Sequence, residues 1–381
     1  MRRHPLQLIE MLLLAPLCVG VLIAAPARAE HLSARQRLAM IAKPAVVRIL
    51  DGYTAKWYWP KTRKTYDTGL VASGSGFFIN PDGYIVTNAH VVDRTRLGKE
   101  KALQQLFTQF VIRLAKENGH DPAKVLKEYG EQIRQQVQLI QISHLHHVII
   151  ADGTSKPFEI KSAGAPVGSG EQSVVKDVAV IKIEVHNAPT LQLAQGEPAR
   201  VLEWVMALGY PAAADTFSTG LLSQKSSLQA SITAGSVSAI KEGADGAPAL
   251  QISAPATHGN SGGPVVNEHG EVIGIVTFGG DRVNGQEIGG FTFVVSSQTI
   301  LEYVRQSGAT NREGLTDRRY RQGLASFWND DYRQAIARFE EVKRLFPQHP
   351  ETDRLIRVCQ ETLVVAEEKL AAKPRTAKLE R

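Results

Sequence analysis

The sequence predicts a mainly β protein, a sandwich or barrel, with one helical insertion and a small helical C-terminal region. Three observations carry that expectation. From Lys43 to about Ile300, short β-branched runs alternate with Gly, Asn, Asp and Pro breaks, as in Gly76-Phe77-Phe78-Ile79, Gly83-Tyr84-Ile85-Val86-Thr87 and Glu271-Val272-Ile273-Gly274-Ile275-Val276; this is the rhythm of strands and turns. Glycine is plentiful, at 32 residues, which favours a turn-rich β protein. Two stretches leave the pattern, about Leu97 to Gln141 and about Asn311 to Lys373, where apolar residues fall at helical spacing.

In chain order, the first thirty residues read as a secretory signal. Arg2 and Arg3 precede an apolar run from Met11 to Ala25, and Ala27-Arg28-Ala29 supplies small residues before a cut at Glu30. Residues 1–29 are expected to leave an exported chain, periplasmic or secreted. An uncleaved anchor is the weaker alternative, because the apolar run is short for a membrane span. Cys18 would depart with the signal and leave Cys359 alone, so no internal disulfide is expected. Losing Arg2, Arg3, Arg28 and Glu10 takes the formal net charge from +6 to +4, too little to argue for nucleic acid. With 43% hydrophobic and 22% charged residues, composition argues against wholesale disorder and a multi-span membrane protein. A length of 381 residues allows two or three packed units at roughly 100 to 200 residues each.

Asn80-Pro81-Asp82-Gly83 is a strong turn signal between two strands, with Pro preset for the early turn position and Gly free to take positive φ. The insertion reads as two helices broken near Asn118-Gly119 and Asp121-Pro122. Beyond Asn311, the spacing of Gly323, Tyr332, Ala335, Phe339 and Pro347 resembles a single tetratricopeptide (TPR) helical hairpin. A basic tail, residues 374–381, closes the chain.

The chemistry-bearing residues begin with Gly259-Asn260-Ser261-Gly262-Gly263-Pro264, in a loop before Val265 and Val266. A serine hydroxyl attacks only when a base takes its proton and donors receive the charge that develops on the substrate carbonyl. Glycines let the chain fold so that N–H groups, here expected from Gly259 and Ser261, converge as an oxyanion hole. The base expected is His90, at the end of a strand in Thr87-Asn88-Ala89-His90. Imidazole is mostly neutral and still basic near pH 7. A third group must hold its tautomer. Asp177, heading Val178-Ala179-Val180-Ile181, is preferred over Asp152, whose Asp152-Gly153 pair reads as a hairpin turn, and over Asp93, which lies close to His90 along the chain. The order His, Asp, Ser is one of several used by hydrolases.

Together with Ser73-Gly74-Ser75-Gly76-Phe77-Phe78-Ile79 and Ala207-Leu208-Gly209-Tyr210-Pro211, these segments resemble the trypsin-like peptidases, nearest the HtrA (Deg) branch, over about residues 40 to 300. The resemblance implies two perpendicular six-stranded antiparallel β-barrels, with His90 and Asp177 on the first and Ser261 on the second. It implies a peptidase domain over 36–305, carrying the helical insertion at about 97–141, followed by the TPR-like region at 311–373. It also implies a serine endopeptidase acting on polypeptides of exported or misfolded proteins, with no cofactor and no metal. Ser253, Thr257 and His258 depart from the HtrA pattern, and nothing after Ile300 looks like a PDZ domain. Pro255, six residues before the nucleophile, is expected at the bottom of the primary pocket with His258 nearby, which favours small or medium apolar side chains over Lys or Arg.

Other features have plainer readings. His144, His146 and His147 invite a metal, but no nearby cysteine or ordered acid completes a site, so a solvated strand near the cleft rim is expected. Trp57, Tyr58 and Trp59 beside Lys56, Lys61, Arg63 and Lys64 are read as an aromatic-braced loop touching substrate or another subunit. Expected partners are polypeptide substrates and a protein held by the TPR-like helices, with homo-oligomerisation left open and no nucleic acid. Two rival functions remain: a non-catalytic, chaperone-like scaffold, disfavoured because all three catalytic positions are filled, and an esterase, disfavoured by the lack of α/β alternation.

Overall fold

The computed structural model describes residues 32–166, 176–196, 199–211, 228–243, 246–283 and 286–371. The signal expected over residues 1–29 and the basic tail at 374–381 lie outside the described residues. Among the described residues, no helix is long and apolar enough to cross a membrane.

Helix α1 (Ala34–Ala42) starts at a capping box, in which Ser33 and Gln36 satisfy each other's backbone N–H groups. It leads into the first sheet: β1 (Val46–Trp59), β2 (Lys64–Phe78) and β3 (Tyr84–Thr87). The expected turn between β2 and β3 is present: Asn80 Oδ1 accepts from Asp82 N–H at 3.0 Å, and Gly83 has φ +89°. Helices α2 (Asp93–Leu97), α3 (Lys99–Glu117) and α4 (Pro122–Gln136) follow, then β4 (Gln138–Ile149), β5 (Ser155–Pro157), β6 (Glu159–Ala163) and β7 (Ala179–Lys182). Residues 138–141, read from sequence as the end of the insertion, are strand, because Gln138, Leu139 and Gln141 pair with Tyr58, Trp57 and Lys56 of β1.

The first sheet has the order β5-β4-β1-β2-β3-β7-β6. Its two edge strands, β5 and β6, are separated along the chain by Phe158 alone, so the chain itself bends from one edge of this half-barrel to the other. The second sheet comprises β8 (Gln192–Leu193), β9 (Trp204–Gly209), β10 (Ser231–Glu242), β11 (Pro248–Ile252), β12 (Pro264–Asn267), β13 (Glu271–Val283) and β14 (Gln286–Ser296). Six of these strands close a barrel through the β12–β13 pairing, and the two-residue β8 adds in parallel to β13. Closure removes the unpaired edges that would otherwise invite association.

The β1–β2 hairpin runs in unbroken register to Trp59↔Lys64. Its outer half places Tyr53, Trp57, Trp59 and Tyr66 under Leu106, Phe107, Phe110 and Leu114 of α3. Trp57 and Trp59 are 4% and 6% exposed, and Trp57 Nε1–H donates to Thr68 Oγ1 at 2.8 Å. The expectation of an aromatic loop free to touch substrate or a neighbour is thus corrected: both tryptophans are strand residues buried against the insertion. Asp152 stands in the β4–β5 turn, where its carboxylate accepts from Thr154 N–H.

The C-terminal part is helical: α5 (Ser297–Gln306), α6 (Leu315–Trp328), α7 (Tyr332–Leu345) and α8 (Thr352–Ala371). A Cβ on Gly323 would come within 2.6 Å of the Phe339 ring, so the closeness of α6 and α7 explains glycine there. These helices are strapped to the first sheet. Phe346 joins its core and meets Phe78 edge-on at 6.5 Å. Asp317 accepts from both the N–H and the hydroxyl of Thr190, and Asn311 Nδ2 donates to the carbonyls of Ile79 and Leu191. Met40 and Ile41 of α1 pack on the helical core, where Tyr320 OH donates to the Met40 carbonyl. Cys359 is a free thiol buried in that core, and burial pushes it up to about 11.

Candidate active site

Asp177 is fully buried. A carboxylate in such a place needs donors, and three converge on it. Its Oδ1 accepts from His90 N–H at 2.9 Å; its Oδ2 accepts from His90 Nδ1 at 2.6 Å and from Thr277 Oγ1 at 2.8 Å. Asn88 Nδ2 donates to the Asp177 carbonyl at 2.7 Å and fixes the backbone there. With Nδ1 committed as a donor to the carboxylate, the neutral imidazole keeps its lone pair on Nε2. The His90 side chain is 32% exposed, so the ring is held on one edge and open on the other.

His90 opens a 3-10 turn, His90–Val92, that runs directly into α2. The downstream end of this segment is anchored by Asp51 of β1, which accepts from the N–H and the hydroxyl of Thr95. Burial pushes the Asp51 carboxyl up, and the Thr95 hydrogen bonds oppose that rise. Thr95 Oγ1 also lies 2.8 Å from His144 Nε2. His144 stacks between Tyr53, at 4.3 Å, and His146, at 4.2 Å. The histidine strand is therefore half-buried in an aromatic stack rather than solvated, and burial lowers the pKa of His144 and His147. Among the described residues, no group of three or more His, Cys, Asp or Glu side chains is arranged to hold a metal.

Ser261 lies in the loop between β11 and β12. Gly259 has φ +97° and Gly262 has φ +83°, both in the region that favours glycine. A Cβ on Gly262 would sit 2.2 Å from the Ser75 carbonyl oxygen, so the loop also needs glycine for its closeness to β2. The loop is held by Asn260 N–H to Thr257 O, Gly263 N–H to Asn260 O and Gly262 N–H to Val276 O. Among the described residues, neither the Gly259 nor the Ser261 N–H finds an intramolecular acceptor. Ser261 Oγ donates to the Thr277 carbonyl at 3.0 Å. Thr277 thus touches both halves of the site, Ser261 through its carbonyl and Asp177 through its hydroxyl.

The residues expected from sequence fall into two groups. His90 and Asp177 are bonded directly, and Thr277 links Asp177 to Ser261. Pro255 and His258 are exposed and take no part in that network; the Pro255 carbonyl accepts from Thr233 Oγ1 at 2.8 Å. Sequence reading did not single out Thr277, Asn88 or Ser75. The only sequence mark of Thr277 is a polar residue ending the apolar run Val272–Val276.

The family model for the trypsin-like peptidase domain matches residues 74–275, more than half of the chain. The chain belongs to the trypsin-like peptidase family. The matched region of this family member contains His90, Asp177 and Ser261 and ends before α5. Among curated proteins, the chain is 27% identical over 248 residues to a probable periplasmic serine endoprotease DegP-like of Halomonas elongata, covering 64% of this chain and 37% of that protein. It is 26% identical over 286 residues to the putative serine protease HhoB of Synechocystis, covering 70% and 51%. To the serine protease HTRA1A of Danio rerio it is 29% identical over 260 residues, covering 66% and 38%. The chain therefore spans about half, or less, of the length of these relatives.

Proposed function

We propose that this trypsin-like family member is a serine endopeptidase that cleaves exposed segments of exported or misfolded proteins. The observation that carries the reading is the 2.6 Å bond between His90 Nδ1 and the buried Asp177 carboxylate, set beside a glycine-folded loop that presents Ser261. In the proposed mechanism, the Ser261 side chain turns from the Thr277 carbonyl toward His90 Nε2. Oγ attacks the scissile carbonyl carbon as its proton passes to Nε2, and the N–H groups of Gly259 and Ser261 receive the oxyanion. His90 then gives that proton to the leaving amine as the C–N bond breaks, which leaves an ester on Ser261. Water, deprotonated by the same nitrogen, hydrolyses the ester and restores the hydroxyl. Asp177 stays ionised, orients the ring and balances the imidazolium. Removal of one oxyanion donor ordinarily costs about 10²–10³ in rate, so the positions of Gly259 and Ser261 bear directly on the turnover expected.

The same proposal assigns Pro255 to the bottom of a primary pocket, with His258 nearby, for small or medium apolar side chains. It places the protein outside the cytoplasm, a reading supported by the signal-like residues 1–29 and by the periplasmic DegP-like relative. The TPR-like hairpin of α6 and α7 is assigned a protein partner. Casein digestion by the purified protein, beside Ser261→Ala, tests the enzyme reading. Cleavage by the native protein alone supports it, whereas a folded native protein that leaves casein intact favours a non-catalytic scaffold.

A further inference from the structure

We infer that Ser75 of β2 is a positioning residue for the oxyanion loop, gripping from the first sheet both residues whose N–H groups face the developing charge. The inference rests on the peptidase reading above. Ser75 is fully buried, and every polar atom it has is spent on the opposite barrel or on the strand beneath His90. Its N–H donates to the Ser261 carbonyl at 2.8 Å. Its hydroxyl donates to the Gly259 carbonyl at 2.7 Å and accepts from Tyr210 N–H at 2.8 Å, which uses its single proton once. Its carbonyl accepts from Thr87 Oγ1 at 2.7 Å.

The need for such a grip follows from glycine. Gly259 populates positive and negative φ about equally when nothing selects between them, and its N–H direction changes with that choice. Its C-terminal side is held by two bonds: Ser75 Oγ on its carbonyl, and Thr257 O on the following N–H of Asn260. The approach is close enough that a Cβ on Gly209 would lie 3.0 Å from Ser75 Oγ and 2.8 Å from Asn260 Oδ1. Glycine at 209 therefore admits the contact, and serine at 75 makes it. A site bearing only a methyl at 75 would take this donor from the Gly259 carbonyl in a buried interface, and the loop would relax toward other donors.

Ser75→Ala tests this in the full-length protein. The expected result is a kcat for peptide cleavage lowered about tenfold to a hundredfold, part of what loss of an oxyanion donor produces, with KM unchanged. Affinity for a peptide aldehyde, whose adduct on Ser261 places its oxygen at the oxyanion position, should fall by the same factor. Unchanged kcat, or a loss confined to KM, overturns the inference. If Ser75→Ala does not fold, Ser75→Cys, similar in size and a weaker donor, carries the same test: lowered kcat at constant KM supports the grip, and full kcat refutes it. A crystal structure of whichever variant folds gives a readout independent of turnover. The Gly259 carbonyl should leave its wild-type position, and an unmoved carbonyl refutes the inference. A wild-type protein that neither cleaves casein nor accepts a phosphonate would overturn the peptidase reading instead, and that structure would still decide the role of Ser75.

Discussion

Acid should loosen the helical C-terminal region through one residue, His349. This imidazole is 5% exposed, packs 4.4 Å from the Tyr320 ring, and accepts at Nδ1 from Glu351 N–H. Its Nε2 is buried with no partner among the described residues. Burial pushes its pKa down from 6.5 to about 3. Between those values the unfolded chain binds a proton that the folded chain does not, so stability rises with pH across the window and is lost as pH falls from 6.5 toward 3. Each pH unit inside the window is worth about 1.4 kcal/mol, which makes the loss between pH 7 and pH 5 about 2 kcal/mol. Burial also raises the pKa of Asp317; that carboxyl acts in the opposite sense, because stability falls as pH rises through its window, but a comparison at fixed Asp317 cancels it. Urea denaturation followed by far-UV circular dichroism, at pH 7 and pH 5, should show the wild type losing about 2 kcal/mol more than His349→Gln. Equal losses in the two proteins would show that His349 does not govern the acid sensitivity.

Thr277→Val removes one of three donors to the buried Asp177 carboxylate while nearly preserving shape. A hydrogen bond to a charged group is worth about 1.5–3 kcal/mol, so kcat/KM for peptide cleavage should fall by roughly tenfold to a hundredfold; steady-state kinetics at unchanged activity would count against the linkage. Gly323→Ala drives a methyl into the Phe339 ring, 2.6 Å from the new carbon. Thermal unfolding should register a loss of about 1–3 kcal/mol from overpacking, and an unchanged transition would show that α6 and α7 part easily.

Much of the candidate site is legible in the sequence because the chemistry proposed for it leaves local marks. Gly262 and Gly263 are glycines for a reason that sequence exposes, since only a chain without side chains comes so near to Ser75 of β2 and to Leu208 of β9, and His90 and Asp177 each adjoin a strand whose apolar run announces it. Thr277 was not legible, because its worth lies in a contact with a residue 100 positions away. Ser75 lies within Ser73–Ile79, yet the role proposed for it depends on Gly259 and Tyr210, both distant in sequence, reaching its hydroxyl. In the insertion, helical periodicity marked the apolar face of α3 but not what that face covers, which is the outer half of the β1–β2 hairpin with Trp57 and Trp59. The start of β4 was misread for a related reason. Leu139, Ile140 and Ile142 fit either periodicity, and pairing with β1 decided for strand. Docking of the C-terminal helices through Asp317, Asn311 and Phe346 was likewise invisible, since each of those residues is ordinary on its own helix or loop.

Mass-spectrometric mapping of an active-site phosphonate on the native protein, beside Ser261→Ala and His90→Ala, tests the nucleophile directly. A Ser261 nucleophile activated by His90 predicts one phosphonate on the Ser261 hydroxyl of the native protein and none on either variant. A folded native protein that stays unlabelled, or one labelled equally after Ser261→Ala, would contradict it.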